Sequence, residues 1–311
     1  MFNYIIRRVL YMIPIMLGIA LVVFLLFNVV GGDPVLSMLG KHISQQAIDD
    51  LRRELGLNKP LYMQFIDFLK QIVTMDFGRS YATKQEIFSM MRATAPVSLV
   101  VALPAFVISV TLAIGLSLFV AFWRGTWIDR SIVVFCVILI SVPSLAYILF
   151  GQYFLAYQYG IFPISGFSWG FPETINYIGL PVIILIALTL GGELRFYRTI
   201  MLDEIYQDYI RTARSKGLSE RIVMFKHVLK NAMIPIITTV VIEIPYLITG
   251  SLLVESFFGL PGMGSMIIDA FNTSDFPVIK ASVVVLSLFY MLANLVSDIL
   301  YSLVDPRIAL K

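Results

Sequence analysis

The side chains that could act as nucleophiles, metal ligands or cofactor contacts are few and scattered in this 311-residue sequence. His42 and His227 are the two histidines, and no cysteine or carboxylate cluster accompanies them at the spacing of metal ligands. Cys136, the one cysteine, lies within an apolar run. No segment has the Gly-x4-Gly-Lys-Ser/Thr pattern that cradles nucleotide phosphates. The sequence therefore predicts no metal site, no cofactor and no enzymatic ATP hydrolysis by this chain.

A carboxylate within an apolar run is the first group to which a chemical role can be assigned. Glu243 lies in such a run and is followed by Pro245 and Tyr246. A carboxylate at the middle of a bilayer costs about 2.5–3.5 kcal/mol on insertion scales, so it rarely faces lipid. Two interpretations stay open. Glu243 and Tyr246 line a translocation path in which the carboxylate meets a substrate amine, or burial leaves Glu243 protonated or hydrogen-bonded to another helix.

A second polar feature lies in the last apolar run. Asp298 shares one helical face with Ser287, Asn294 and Tyr301. Such a stripe faces protein rather than lipid, and we interpret it as packing between helices. Glu243 and Asp298 are the only support for an alternative function, a secondary transporter driven by an ion gradient, which would be expected to show inverted repeats and paired broken helices.

The most informative charged segment covers residues 200–232. Asp208 to Gly217 reads as a helix that stops at glycine, because glycine suits the left-handed position after a helix. Ser219 is placed to cap a second helix, with Glu220 in its first turn. Ile222, Phe225 and Leu229 then share a face. Such a hairpin could dock into a groove of a soluble partner, or it could lie as a basic segment on anionic lipid.

A glycine cluster, Gly259-Leu-Pro-Gly-Met-Gly264, superficially resembles a phosphate loop. It precedes no Lys-Ser/Thr pair, so nucleotide binding is not indicated. We interpret Gly259, Pro261, Gly262 and Gly264 as a tight re-entrant turn.

The elements that hold these residues follow from composition. The chain is 59% hydrophobic and 14% charged, whereas soluble domains carry about 25% charged residues. Uniform apolar runs of about 20 residues predict membrane-spanning helices rather than barrel strands. The predicted class is an all-α integral membrane protein with six transmembrane helices, over residues 9–30, 96–123, 131–157, 177–199, 233–254 and 279–303. A net charge of only +3, with the aromatic residues in apolar runs, gives no indication of nucleic-acid binding.

The distribution of basic residues predicts the orientation. Most of the Lys and Arg residues fall in segments that share one side, while loops 158–176 and 255–278 hold none. Both termini and segment 200–232 are therefore expected in the cytoplasm. The segment 31–95 also carries basic residues, but long loops translocate largely regardless of charge.

The expected organisation has four parts. Residues 1–30 form the N-terminal end and first span, 31–95 an extracytoplasmic helical segment, 96–304 the permease core, and 305–311 a cytoplasmic tail. Within 31–95, we expect a helix over 45–55, ended by Gly56, and an amphipathic helix over 60–75. The second places its apolar residues at helical spacing. They are Leu61, Phe65, Phe68, Leu69 and Ile72.

Tyr209-Ile-Arg-Thr-Ala-Arg-Ser-Lys-Gly-Leu218, followed by His227-Val-Leu-Lys-Asn-Ala-Met-Ile-Pro235, resembles the coupling loop of type I ABC importer permeases. More narrowly, it resembles the B-type permease of dipeptide, oligopeptide and nickel importers, which have the MetI-like fold. Ala213, Gly217 and Leu229 match the general loop pattern, whereas Lys230 replaces its proline. Other matching stretches occur in order along the chain: Gly32-Asp-Pro34, Leu55-Gly-Leu-Asn-Lys-Pro60, Asp76-Phe-Gly78, Gly259–Gly264 and Asp305-Pro-Arg307.

The resemblance implies roles for these residues. The loop would sit in a groove of an ATPase subunit, with Gly217 at its turn and with Ile222, Phe225 and Leu229 docking. Arg211, Arg214 and Lys216 would pair with acidic residues at the groove's rim. Thr212 and Ala213 complete the triplet Arg211-Thr212-Ala213 at the start of the loop pattern. The glycine turn would lie near the outer mouth of the path and act as a gate.

The resemblance also implies partners and a location. They are a homologous C-type permease, two ABC ATPase subunits, an extracytoplasmic substrate-binding protein and the bilayer of a bacterial inner membrane. Di- and oligopeptides are the expected substrates, and nickel or a modified peptide is the alternative.

Overall fold

The computed structural model describes residues 2–30, 46, 49, 52, 53 and 56–304. The predicted helix over 45–55 lies largely outside the described residues, and the tail 305–311 lies wholly outside them.

Helices make up most of the described chain. They are α1 (Phe2–Leu25, continued by a π-helical turn Leu26–Val30), α2 (Leu61–Thr74), α3 (Ile87–Phe122), α4 (Trp127–Ser141), α5 (Ser144–Gly151, continued by π-helical Gln152–Gln158), α6 (Glu173–Ile205), α7 (Asp208–Ser215), α8 (Glu220–Ile222, continued by π-helical Val223–Val228), α9 (Leu229–Thr249), α10 (Leu252–Phe257), α11 (Met263–Asn272) and α12 (Phe276–Val304).

Five helices of the described part are long and apolar enough to cross a membrane, and α4 with α5 qualifies as a pair bent by 90°. The five lie over Tyr4–Val29, Ile87–Phe122, Glu173–Ile205, Glu220–Pro245 and Phe276–Ile299. A helical membrane protein is thereby confirmed. The total of six spans requires α4 and α5 to cross the membrane together as one span. The number six therefore stays a prediction.

The bend explains why the predicted helix over 131–157 is not continuous. Val142 is extended, with φ −83° and ψ 123°, as expected for the residue before a proline. Pro143 has no N–H to donate and would clash with the preceding turn of helix. α4 therefore ends at Ser141, and α5 starts in a new direction at Ser144.

The predicted helix over 233–254 is also divided. α9 ends at Thr249 because Gly250 has φ +64° and ψ 180°, a backbone conformation that is essentially restricted to glycine. The short helix α10 then follows from Leu252. Toward its other end, α9 runs back without a break through the π-helical segment into α8.

The predicted amphipathic helix over 60–75 is confirmed as α2. Phe68 is buried, while Phe65, Leu69 and Ile72 pack against the same cluster from half-buried positions. Leu61 is exposed. The ring of Phe24 on α1 lies 5.3 Å from that of Phe65, so α2 packs on the helix bundle.

Three clusters of buried apolar side chains hold the bundle together. One joins α1, α2, α11 and α12 with the start of α3. A second joins α3, α6, α7 and the α8–α9 region. The third joins α3, α5, α6 and α10. Because α3 and α6 contribute to both of the last two clusters, this helix pair connects the two ends of the molecule.

Candidate functional site

The segment from α7 to α8 forms the predicted helical hairpin, which we call the coupling hairpin (residues 208–228). Gly217 has φ +78°, and its N–H donates to the Arg214 carbonyl at 2.9 Å. The glycine stop is therefore confirmed. Ser219 occupies the position before α8, but its side chain makes no capping hydrogen bond there.

An ion pair closes the coupling hairpin across its turn. Arg214 Nη2 lies 2.7 Å from Glu220 Oε1, and Arg214 Nε donates to Glu220 Oε2 at 3.1 Å. The hydrogen bond with Glu220 raises the pKa of Arg214. Arg124 Nη1, between α3 and α4, lies 3.9 Å from the same carboxylate. The Arg214 guanidinium is thus engaged within the chain, whereas the resemblance implied a contact with a partner.

The inner face of the coupling hairpin is anchored in the bundle. The anchors are the buried residues Ile210, Ala213, Val223, Met224 and Val228. They join a cluster with Leu194 and Met201 of α6 and with residues of α3. Fully burying an Ile, Val or Met side chain contributes about 1.5–3 kcal/mol, so these contacts fix the hairpin to the bundle.

The outer face of the coupling hairpin carries apolar residues among basic ones. Phe225 is 64% exposed and Ile222 44% exposed, whereas Leu229 is half-buried against the core. The π-helical segment Val223–Val228 changes the helical phase, so the face predicted for a regular α-helix does not continue to Leu229. Sequence reasoning missed the anchors Val223 and Met224 for the same reason.

The polar residues of the predicted loop mostly point outward. Arg211 is 81% exposed at its side chain and lies 3.6 Å from Asp208. Lys216 and Thr212 are exposed, and the Thr212 hydroxyl donates to the Asp208 carbonyl at 3.0 Å. The coupling hairpin therefore exposes basic side chains as well as the apolar Ile222 and Phe225.

A buried ion pair supports the same end of the bundle. Asp129, at the start of α4, is buried, and Arg198 Nε of α6 donates to it at 2.7 Å. The Gly125 N–H donates to the same carboxylate at 2.9 Å. This pair ties the α3–α4 connection to α6, against which the anchors of the coupling hairpin also pack.

Glu243 has an acidic neighbour that the sequence interpretation missed. Glu193 on α6 is buried and accepts a hydrogen bond from the Ser109 hydroxyl of α3 at 2.8 Å. Glu243, half-buried on α9, interacts electrostatically with Glu193 and with Tyr197. A carboxylate within the predicted span 177–199 was the signal available in the sequence. The side chain of Tyr246 lies outside the described residues.

Asp298 has a cationic partner. Arg8 Nη2 on α1 lies 2.7 Å from the Asp298 carboxylate on α12. The Ser287 hydroxyl and the Asn294 amide donate to carbonyls of their own helix, at 2.7 Å and 3.0 Å. The Arg8–Asp298 contact joins two helices and supports the packing interpretation for Asp298. Of the two carboxylates named for the ion-driven alternative, Glu243 then remains.

The glycine cluster encloses a carboxylate at the end of the bundle opposite the coupling hairpin. Glu255 on α10 is 2% exposed and accepts hydrogen bonds from the N–H groups of Gly264 at 2.7 Å and Ser265 at 3.4 Å. Ser98 on α3 hydrogen-bonds the same carboxyl, and its oxygen accepts from the Met263 N–H at 2.8 Å. We call this arrangement the Glu255 knot (residues 98, 250, 255 and 262–265).

Glycine is required in the Glu255 knot for lack of space. A Cβ on Gly250 would lie 1.8 Å from Glu255 Oε1, and one on Gly262 would lie 2.3 Å from Oε2. A Cβ on Gly264 would lie 2.9 Å from Oε2. Gly259 has φ +61° and, like Pro261, is exposed. The predicted turn is therefore present, and its glycines form a niche around a carboxylate that the sequence interpretation did not single out.

Further hydrogen bonds fasten the part of the chain before α3 to the beginning of α12. Asp275, buried just before α12, accepts from the Ser80 hydroxyl and from the Tyr81 N–H at 3.0 Å. Lys280 on α12 donates to Asn28 of α1 at 3.1 Å, and Asn28 donates to Gln64 of α2 at 2.9 Å.

Comparison with known proteins covers nearly the whole chain. Residues 113–310 match the family described as binding-protein-dependent transport system inner membrane component. Residues 1–102 match the N-terminal family of such membrane components. The chain is 35% identical over 312 residues to the glutathione transport system permease protein GsiC of Shigella flexneri serotype 5b. It is 34% identical to the proteins of that name from Salmonella typhimurium and Escherichia coli K12. Each alignment covers 100% of both chains.

Proposed function

This chain belongs to the family of binding-protein-dependent transport system inner membrane components, and from that premise we propose that it forms half of a peptide path driven through the coupling hairpin. The family membership makes it a multi-pass permease subunit of an ABC importer in the inner membrane, with ATP hydrolysis in separate subunits. The resemblance to type I importer permeases is thus confirmed.

The observation that carries the proposal is the two-sided construction of the coupling hairpin. Its buried face holds Val223 and Met224 against α6 and α3, while its outer face exposes Ile222 and Phe225. A helix offering apolar anchors among charges suits a groove on a soluble partner. Since α8 continues into α9 without interruption, a displacement of the hairpin by an ATPase would be transmitted directly to a membrane span.

The proposed docking set differs from the one expected from the sequence. Ile222 and Phe225 are the apolar anchors, with Arg211 and Lys216 as the rim contacts and Gly217 at the turn. Arg214 and Ala213 hold the hairpin together from inside. Leu229 contributes mainly to the core. We propose that the basic hairpin and both termini lie on the cytoplasmic side, because the distribution of Lys and Arg favours this orientation.

We place a small peptide as the substrate. Relatives over the full length are named for glutathione transport, and glutathione is itself a small, unusually linked peptide. The alternative substrates are an ordinary di- or oligopeptide, another modified peptide, or nickel. The path would lie at an interface with a homologous C-type permease, and an extracytoplasmic binding protein would deliver the substrate to the outer mouth.

Phe225→Ala tests the coupling proposal in the assembled importer reconstituted in lipid. We expect at least a ten-fold loss of substrate-stimulated ATP hydrolysis and weaker retention of the ATPase subunit, because an exposed aromatic anchor is a typical hot spot. Phe135→Ala is the matched control, since Phe135 is 50% exposed on α4. Unchanged ATPase retention and coupling in Phe225→Ala would refute a docking role for the outer face.

We further propose that Glu243 and Tyr246 line the path, and that the turn with Gly259, Pro261, Gly262 and Gly264 gates its outer mouth. Glu243→Gln keeps the shape but removes the charge, so uptake of a peptide with a free amine should fall several-fold while assembly stays intact. The measurement is uptake of radiolabelled peptide with and without a free amino terminus. Equal uptake of both peptides by native and variant importers would remove Glu243 from the path. ATP-independent uptake would instead favour the ion-gradient alternative.

A further inference from the structure

An apolar groove runs between α1 and α12 and ends in a cluster of arginines and tyrosines. The groove has a volume of about 530 Å³ and is lined largely by apolar side chains, among them Met12, Ile15 and Ile19 of α1 and Leu286 of α12. Pro245 of α9 contributes to its floor. A second cavity of about 230 Å³ adjoins it and is lined by Tyr4, Arg7, Arg8 and Tyr11. Arg8 and Tyr11 belong to both cavities, so the polar cavity caps the apolar groove.

The charges at the polar end do not cancel. Arg8 is paired with Asp298 at 2.7 Å. Arg7 is exposed; its Nε donates to the Tyr11 hydroxyl at 3.2 Å, and its guanidinium lies 5.5 Å from the centre of the Tyr11 ring. Those contacts orient Arg7 without neutralising it. Asp298 also hydrogen-bonds Tyr4, and no described carboxylate lines either cavity. One carboxylate against Arg7 and Arg8 leaves a surplus positive charge at this end, and the Tyr11 hydroxyl can donate a hydrogen bond.

The dimensions of the groove match one leaflet of a bilayer. From Arg8 to Ile19 the helix α1 rises about 16 Å at 1.5 Å per residue. One leaflet contributes about 15 Å of the hydrocarbon thickness. An acyl chain lying along Ile15 and Ile19 would therefore place its phosphate at the level of Arg7 and Arg8. Basic pockets between transmembrane helices bind anionic head groups in this way.

We propose that the groove between α1 and α12 is a binding site for one anionic phospholipid. Its acyl chain lies along Met12, Ile15, Ile19 and Leu286, and its phosphate accepts hydrogen bonds from Arg7 and from the Tyr11 hydroxyl. The lipid fills the groove and fastens the N-terminal part of α1 to α12. No residue of the coupling hairpin lines this site.

Native mass spectrometry of the full-length chain, titrated with phosphatidylglycerol or with phosphatidylethanolamine of the same acyl chains, tests the proposal. We expect tighter binding of phosphatidylglycerol. Arg7→Gln should weaken phosphatidylglycerol binding about five-fold, which corresponds to about 1 kcal/mol for one basic residue near an anionic head group. Binding of phosphatidylethanolamine should change little. Arg130→Gln is the control, because Arg130 is exposed at the start of α4, away from the groove.

Ser287→Phe tests the apolar part separately, since Ser287 lines the groove and a phenyl ring there would obstruct an acyl chain. Binding of both lipids should fall. Equal binding of the two lipids to the native chain, or equal losses in Arg7→Gln and Arg130→Gln, would overturn the proposal. It would also be overturned if Ile15→Cys cross-linked in high yield to another protein chain of the assembled importer, because the groove would then be a protein interface.

Discussion

The coupling hairpin and the Glu255 knot lie at opposite ends of α9, and they use charge in opposite ways. In the hairpin, the Arg214–Glu220 pair is about one-third exposed on each side chain, at 34% and 38%, and Arg211 and Lys216 point outward. In the knot, Glu255 is 2% exposed and its carboxylate is surrounded by donors from its own chain. The hairpin therefore keeps polar and apolar groups available to another protein, while the knot uses its polar groups to fix its own shape.

This difference indicates how force could travel through the molecule. A surface that docks a partner needs a rigid support and exposed side chains that can contact the partner. The coupling hairpin has both, because its anchors are buried in the bundle and Phe225 is exposed. The knot ties α3, the end of α9, α10 and α11 together through one carboxylate. We expect the knot to move as a unit, because breaking it would leave buried backbone donors without partners, each at a cost of about 1–3 kcal/mol.

The largest expected effect is on the knot. Gly250→Ala places a Cβ 1.8 Å from Glu255 Oε1 at a residue with φ +64°. The variant must strain the backbone and displace a buried, hydrogen-bonded carboxylate. We expect a loss of about 3–5 kcal/mol of stability, in the range of the most disruptive single substitutions. The measurement is thermal unfolding of the purified full-length chain in detergent, together with the yield of monodisperse protein.

Gly18→Ala is the matched control for Gly250→Ala. Nothing lies within 4 Å of a Cβ added to Gly18, and alanine is favoured over glycine in the interior of a helix by about 1 kcal/mol. Its stability should therefore stay the same or rise. If Gly250→Ala proved as stable as Gly18→Ala, the knot would not be the rigid unit described here.

The contrast between the two regions also explains what could be predicted from the sequence. The glycine stop at Gly217 and the helix α2 were predictable because they depend on neighbours within a few residues. The family resemblance located the hairpin for the same reason, since its motif is contiguous. By comparison, Ser98 and Met263 meet across 165 residues of chain, and no local pattern relates them. The glycine cluster was noticed, but the carboxylate that explains it was not.

Some predictions from the sequence were only partly correct, because one local feature changed the geometry of the helix around it. Pro143 lay within the span predicted over 131–157, and the chain bends there by 90° between α4 and α5. The π-helical segment Val223–Val228 shifted Leu229 from the expected docking face toward the core. Glu193 lies within the predicted span 177–199, but no local pattern relates it to Glu243, which is 50 residues further along the chain.

The smallest expected effect is on the ion pair of the coupling hairpin. Arg214→Ala removes the two contacts between the Arg214 guanidinium and the Glu220 carboxylate. Because this ion pair is partly exposed to water, it contributes about 1 kcal/mol or less to stability. Arg211→Ala is the control, because the Arg211–Asp208 contact is longer, at 3.6 Å, and far more exposed. Thermal unfolding at low salt should separate the two variants slightly, and raising the ionic strength should reduce the difference, since exposed charges are screened. A loss in Arg214→Ala as large as that in Gly250→Ala would mean that the hairpin relies on charge for its shape. The buried anchors Val223 and Met224 alone would then not hold the coupling hairpin rigid.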